Sequence, residues 1–233
     1  MQPSGAADTL AEQIAARLRR EILRGTLPPG AQLRERDSAA AMGVSRTPMR
    51  EAIRILAKDG LLVLRPARSP LVAAPTASEV RDQVIVLQSL EVLSAQLACD
   101  NATAEDLEAL HALQGRILRE IDDMDPLEAF ELDMAFHLRV AQASHNAALA
   151  QTHGEYLARL WRARYLQARM DRNRARVTRD HGTILAALKA RNREAAGQAV
   201  EAHLARMAQD IVAALDAEAA QGRAQPDKEE DIE

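Results

Sequence analysis

Apolar residues recur at Leu10, Ile14, Leu18 and Ile22 across the stretch 8–24, and Gly25 interrupts them. That spacing places one helical face on a core, and the glycine ends the helix. Pro28, Pro29 and Gly30 then force a turn. A second short helix is predicted over 35–42, broken at Gly43, and a third over 46–59, stopped by Gly60. Two β-prone runs, LLVLR at 61–65 and PLVAA at 70–74, flank PARS and predict a hairpin. Together these elements predict a winged helix-turn-helix over 8–74. Residues 75–79 read as a linker, with Ser78 as the N-cap before periodicity resumes at Val80.

From there to Leu215 the pattern is helical. Predicted spans are 78–100, 104–123, 126–143, 146–171, 173–190 and 194–217, separated by breaks containing Asn, Asp, Ser or Pro. Helices on short loops predict an antiparallel bundle over 80–217. The stretch 218–233 is acidic, has little to bury, and is expected to be a disordered tail. The predicted fold class is mainly α: an N-terminal winged helix-turn-helix, three helices plus a β-hairpin wing, joined to an all-α antiparallel six-helix bundle.

Composition agrees, because aromatics are only 2% of the 233 residues while Ala, Leu and Arg dominate. The single cysteine, Cys99, excludes an internal disulfide and any Cys-based zinc motif. No leader and no long apolar run is evident, so a cytoplasmic protein without a membrane segment is expected. Charge changes the picture more. Residues 1–75 carry 12 Lys/Arg against 7 Asp/Glu, or +5, and the remainder carries 18 against 27, or −9. Only the first third is suited to a polyanion.

The chemistry of that third centres on MGVSRTPMREAI, residues 42–53. Gly43 supplies the turn, Ser45 is placed to cap the helix, and Pro48 falls in its first turn, where a missing N–H costs little. Arg46 and Arg50 are four apart and share a face, while Met49, Ile53 and Leu56 supply the packing face. Arginine reads guanine O6 and N7 bidentately in the major groove. Arg36 lies on the preceding helix near the backbone, and Thr47 can donate to a phosphate. The bland alternative is an amphipathic helix with solvated arginines.

The block LPPGAQLRERDSAAAMGVSRTPMREAIRILAKDGLL closely resembles the GntR family of bacterial transcription regulators, over residues 10–74. The resemblance implies operator contacts by Arg36, Arg46 and Arg50 and a wing tip in the minor groove, where Arg68 is the candidate. The family wing carries glycines at its tip, whereas this one reads RPARSP.

The second region sets ionisable groups on apolar stripes. Asp133 and His137 are four apart beside Phe130, Met134 and Ala141; His181 lies among Val177, Ile184, Leu185 and Leu188; His203 lies between Val200 and Met207. Singly, each histidine reads as a core residue with its own partner. Together, Asp133, His137, His181 and His203 form an N/O site for a divalent metal ion, zinc by preference, with nickel or manganese as alternatives. His153 and Arg164 continue a neighbouring stripe and are candidates for an effector pocket. Arg164 reads equally well as reaching to solvent.

ELDMAFHLRVAQASHNAAL and RDHGTILAALKARNREAAGQAVEAHL resemble the FCD effector domain of the FadR-type branch of that family. Its metal-binding members use an Asp-x3-His pair and two later histidines, which fall here on Asp133, His137, His181 and His203. Many relatives have an arginine where this chain has Leu87, in VLQSLE. The expected function is a DNA-binding transcription regulator, read as a repressor and a homodimer, not an enzyme. Its partners are double-stranded operator DNA and a small carboxylate effector completing the metal's coordination. A purely structural metal without an effector, or a metal-dependent hydrolase, are the rivals.

Overall fold

The computed structural model describes residues 9–120, 123–170 and 174–224. The chain divides into two compact units. One runs to Pro75 and includes Leu157–Arg162; the other comprises Thr76–Tyr156 and the chain from Ala163 on.

In the first unit, α1 (Leu10–Arg24) opens on Thr9, which accepts from the Glu12 amide while the Glu12 carboxylate reaches back to Thr9. This reciprocal cap satisfies two amides that a helix start otherwise leaves unpaired. Gly25, at φ 82°, ends the helix in the left-handed region that glycine enters without a Cβ clash. Ile14, Leu18 and Ile22 pack with Leu33, Met49, Ile53 and Leu56 from α2 (Glu35–Ala41) and α3 (Arg46–Lys58). The wing pairs β1 (Leu62–Arg65) with β2 (Arg68–Val72) in antiparallel register, Leu62 opposite Val72 and Arg65 opposite Arg68.

The hairpin is tighter than its sequence predicts. Arg68 and Ser69 lie in β2, and only Pro66 and Ala67 turn the chain. Ala67 adopts φ 54°, a left-handed position where alanine stands in for glycine. Arg65 steadies the tip by donating from Nε and Nη2 to the Ser69 carbonyl, at 2.9 and 2.7 Å.

The second unit holds seven helices among the described residues, not six: α4 (Ala77–Asn101), α5 (Ala104–Glu120), α6 (Pro126–Ala143), α7 (Ala147–Met170), α8 (Arg174–Lys189), α9 (Arg193–Leu204) and α10 (Met207–Ala224). The single helix expected over 194–217 divides after Leu204. No glycine or proline marks the break. The Gln88 amide of α4 donates to the Leu204 carbonyl at 2.7 Å, capturing an acceptor that a continuing helix would use.

Two further expectations are corrected. Thr76, not Ser78, caps α4, pairing reciprocally with Glu79, so the 75–79 linker is mostly helix. The tail expected over 218–233 is helical through Ala224, because Ala- and Glu-rich sequence carries the helix beyond its last apolar residue; residues 225–233 lie outside the described residues. Among the described residues no helix is long and apolar enough to cross a membrane.

α4 is the hub. It packs on α6, α8, α9 and α10. Arg191, in the α8–α9 turn, donates to the Cys99 and Ala102 carbonyls at its C-terminal end, and Asn101 donates to the Ser144 carbonyl after α6. Asp106, in the first turn of α5, accepts from the Thr103 amide and hydroxyl, and is paired with His145 and Arg139. Burial works to raise its pKa, but the Thr103 bonds, His145 and Arg139 outweigh that and lower it from 3.8 to about 2. Its folded pKa lies below the unfolded value, so its contribution is present above pH 3.8 and is lost as pH falls toward 2. Asp106→Asn should therefore cost about 1–2 kcal/mol at neutral pH. Urea unfolding over a pH series checks this: the gap between wild type and variant should narrow below pH 4.

Candidate nucleic-acid interface and metal centre

α3 begins at Arg46 behind Ser45, whose backbone is extended as an N-cap requires, yet the Ser45 hydroxyl makes no capping bond. The reason lies in the sequence. The third helical residue, whose amide a capping side chain commonly takes, is Pro48, which has no N–H. Met49, Ala52, Ile53 and Leu56 face the core, leaving Ser45, Arg46, Thr47 and Arg50 exposed. Arg36 on α2 and Arg68 on β2 are exposed as well.

A residue absent from the predicted set connects two of these. Glu35, in the first turn of α2, accepts from Arg46 Nε at 3.1 Å and from Arg50 Nε and Nη2 at 3.1 and 2.9 Å. Its separation from them, 11 and 15 residues across a turn, has no helical periodicity that would reveal the contact.

In the second unit the three predicted histidines converge. One ring nitrogen each from His137 (α6), His181 (α8) and His203 (α9) lies within 4.8 Å of the others. Phe136 stacks on His181, with centroids 4.1 Å apart and planes 10° from parallel, which fixes the ring plane. Asp133 joins through its Oδ1, 3.3 Å from His181 Nε2. Asp133 Oδ1 and both His181 nitrogens are buried without a hydrogen bond. Such groups cost about 1–3 kcal/mol each when left unmade, and a bound cation would take up the lone pairs. Burial first, then His137, His203 and Arg164, pushes the His181 pKa well down, against an opposing pull from Glu91. Burial, with His137, likewise lowers His203, against Asp133, Glu91 and Asp180. Both rings are thus held neutral, the form that binds metal.

Two carboxylates stand behind the imidazoles, and neither was predicted. Asp180 Oδ2 lies 3.3 Å from His203 Nδ1. Glu91 Oε2 lies 2.6 Å from His137 Nδ1, and Arg164 donates from Nη1 to Glu91 Oε1 at 3.2 Å. Arg164 Nη2 is 3.3 Å from His137 Nε2. Arginine only donates, so His137 Nε2 accepts, and the ring proton sits on Nδ1, facing Glu91. Burial raises the Glu91 pKa, but His137, His153 and the Arg164 guanidinium outweigh it and hold the carboxyl well below its ordinary range. His153 is fully buried, with Nε2 at 3.7 Å from Glu91 Oε1, beyond hydrogen-bond reach. His137, Glu91, His153, Phe136 and Val200 help line a cavity of about 10 Å³.

Both halves of this geometry match known proteins. Residues 10–72 match the family described as bacterial regulatory proteins, gntR family, and residues 85–206 match the FCD domain. The chain belongs to the GntR family. The uncharacterized HTH-type transcriptional regulator YdhC of Bacillus subtilis is 31% identical over 192 residues, covering 82% of this chain and 86% of the relative. The HTH-type transcriptional repressor RspR of Escherichia coli K12 is 30% identical, covering 86% and 88%. The solved structure of E. coli McbR/YncC shares the fold, with a TM-score of 0.74 at 24% identity over 91% of this chain and 100% of that one. This GntR protein is a transcription regulator with a DNA-binding helix-turn-helix, rather than an enzyme.

The Glu91–Arg164 pair generates a stability prediction. Glu91→Ala leaves a buried guanidinium without its carboxylate, and breaking such a pair from one side costs about 3–5 kcal/mol. The loss should appear as a lower urea midpoint; Glu91→Ala unfolding at the wild-type midpoint would show the pair to be energetically idle.

Proposed function

We propose that this GntR protein is a ligand-responsive repressor acting as a homodimer, each protomer reading one half of a pseudo-palindromic operator. Arg46 and Arg50 meet base edges, Arg36, Ser45 and Thr47 lie against the backbone, and Arg68 enters the minor groove. The exposure of all six residues supports this assignment. The dimer is supported by exposed Ile85, Val86 and Leu93 on α4, an apolar surface suited to a second copy.

In the helical unit, Asp133, His137, His181 and His203 hold a divalent cation. Zinc suits three imidazoles and a carboxylate, and nickel and manganese are accommodated by the same donors. The observation that carries this reading is the convergence of three imidazoles beside the orphaned Asp133 oxygen and His181 nitrogens. The ion would supply a fixed positive charge on which the carboxylate of a small organic acid docks, with Arg164 and His153 lining its pocket. A cavity of about 10 Å³ holds little more than a water. An organic acid therefore displaces side chains on entry, which gives it the differential affinity that shifting an equilibrium requires. The second reading, a purely structural ion, is favoured by the same small cavity.

Chelator-treated protein should melt higher on adding zinc, nickel or manganese, and His181→Ala should lose that shift; an unchanged melting temperature in wild type would refute the site. A panel of small carboxylic acids separates the two metal readings. Stabilisation that requires metal supports the effector, and none at all leaves the ion structural. Arg46→Ala or Arg50→Ala should each weaken specific DNA binding by about 1–3 kcal/mol. Unaltered affinity in both would remove α3 from the interface.

A further inference from the structure

The recognition surface carries its own carboxylate. The Glu35 side chain is 23% exposed, against 67% for Arg46 and 53% for Arg50, so the acid lies beneath the two cations it binds. Arg50 is gripped through Nε and Nη2, a two-point fork that fixes the guanidinium plane. Arg46 is held through Nε alone, which leaves both of its terminal nitrogens for a base edge. Ion pairs as exposed as these contribute little to folding, so fold stability does not account for three bonds converging on one carboxylate. The Arg50 hydrogen bond, reinforced by Arg46 and opposed by burial, keeps the Glu35 carboxyl below its ordinary pKa range and therefore ionised.

We propose that Glu35 is a specificity-determining positioning residue: its carboxylate orients Arg46 and Arg50 for base contact and cancels one of their two charges. The inference rests on the reading that these arginines face DNA. The orientation acts on specific binding, because an arginine already held in place loses less freedom on docking. The cancelled charge acts on non-specific binding, which grows with each cation that replaces a counterion on the phosphates. Glu35 thus raises the ratio of specific to non-specific affinity from both sides.

The test uses full-length protein and two duplexes: the one most enriched when wild type selects from a random-sequence pool, and a scrambled duplex of equal composition. Fluorescence anisotropy over a salt series gives affinity and salt slope on each. Glu35→Gln should bind the scrambled duplex more tightly, steepen its salt slope by about one unit, and lower the selected-to-scrambled ratio about tenfold. Glu35→Asp keeps the charge but cannot span both arginines, so its slope should match wild type while the ratio falls. An unchanged ratio in Glu35→Gln overturns the proposal. Equal loss on both duplexes in either variant overturns it too, since that marks a structural role alone. Arg46→Ala and Arg50→Ala with no effect on the selected duplex would instead reject the DNA-facing reading.

Discussion

An ionised carboxylate inside a helical core must be surrounded by donors, and Glu91 imposes that requirement on everything near it. α6 supplies His137, and α7 supplies Arg164 and His153. Because arginine cannot accept, Arg164 and Glu91 together determine which nitrogen of His137 carries its proton. That choice leaves the Nε2 lone pair available, and burial does the corresponding work for His181 and His203 by keeping them neutral. The imidazole cluster is therefore prepared by groups outside it.

The same device recurs in the DNA-reading unit at the surface. Glu35 does for two guanidiniums what Glu91 and Asp180 do for imidazoles: a carboxylate behind a functional side chain fixes its direction. The difference is solvent. Around Glu91 the pairing is a condition of burial. Around Glu35 it is energetically light, so its effect falls on recognition more than on folding.

Much of this was legible in the sequence, for identifiable reasons. Asp133, His137, His181 and His203 stand out because each interrupts an apolar stripe, and Arg46 and Arg50 because four residues make one helical face. Glu91 occupies the buried row Val80, Val84, Leu87, Glu91, Ala98. It escaped notice because α4 is apolar on its other sides as well, with Ile85, Val86 and Leu93 exposed, so no single face marked it as misplaced. The division between α9 and α10 leaves no local trace, since a glutamine 116 residues away makes it. The two-residue wing turn depends on an alanine at positive φ, a conformation that its own identity argues against.

The reciprocal Thr76–Glu79 cap has a mechanical corollary. Because helical geometry starts at Ala77, the stretch from the unit boundary to Glu91 is one unbroken rod of about 21 Å, at 1.5 Å per residue. A rod of that length resists bending and has no slack to absorb a twist. Any roll or slide imposed on α4 at Glu91 is delivered nearly whole to Pro75, the last residue of the DNA-reading unit.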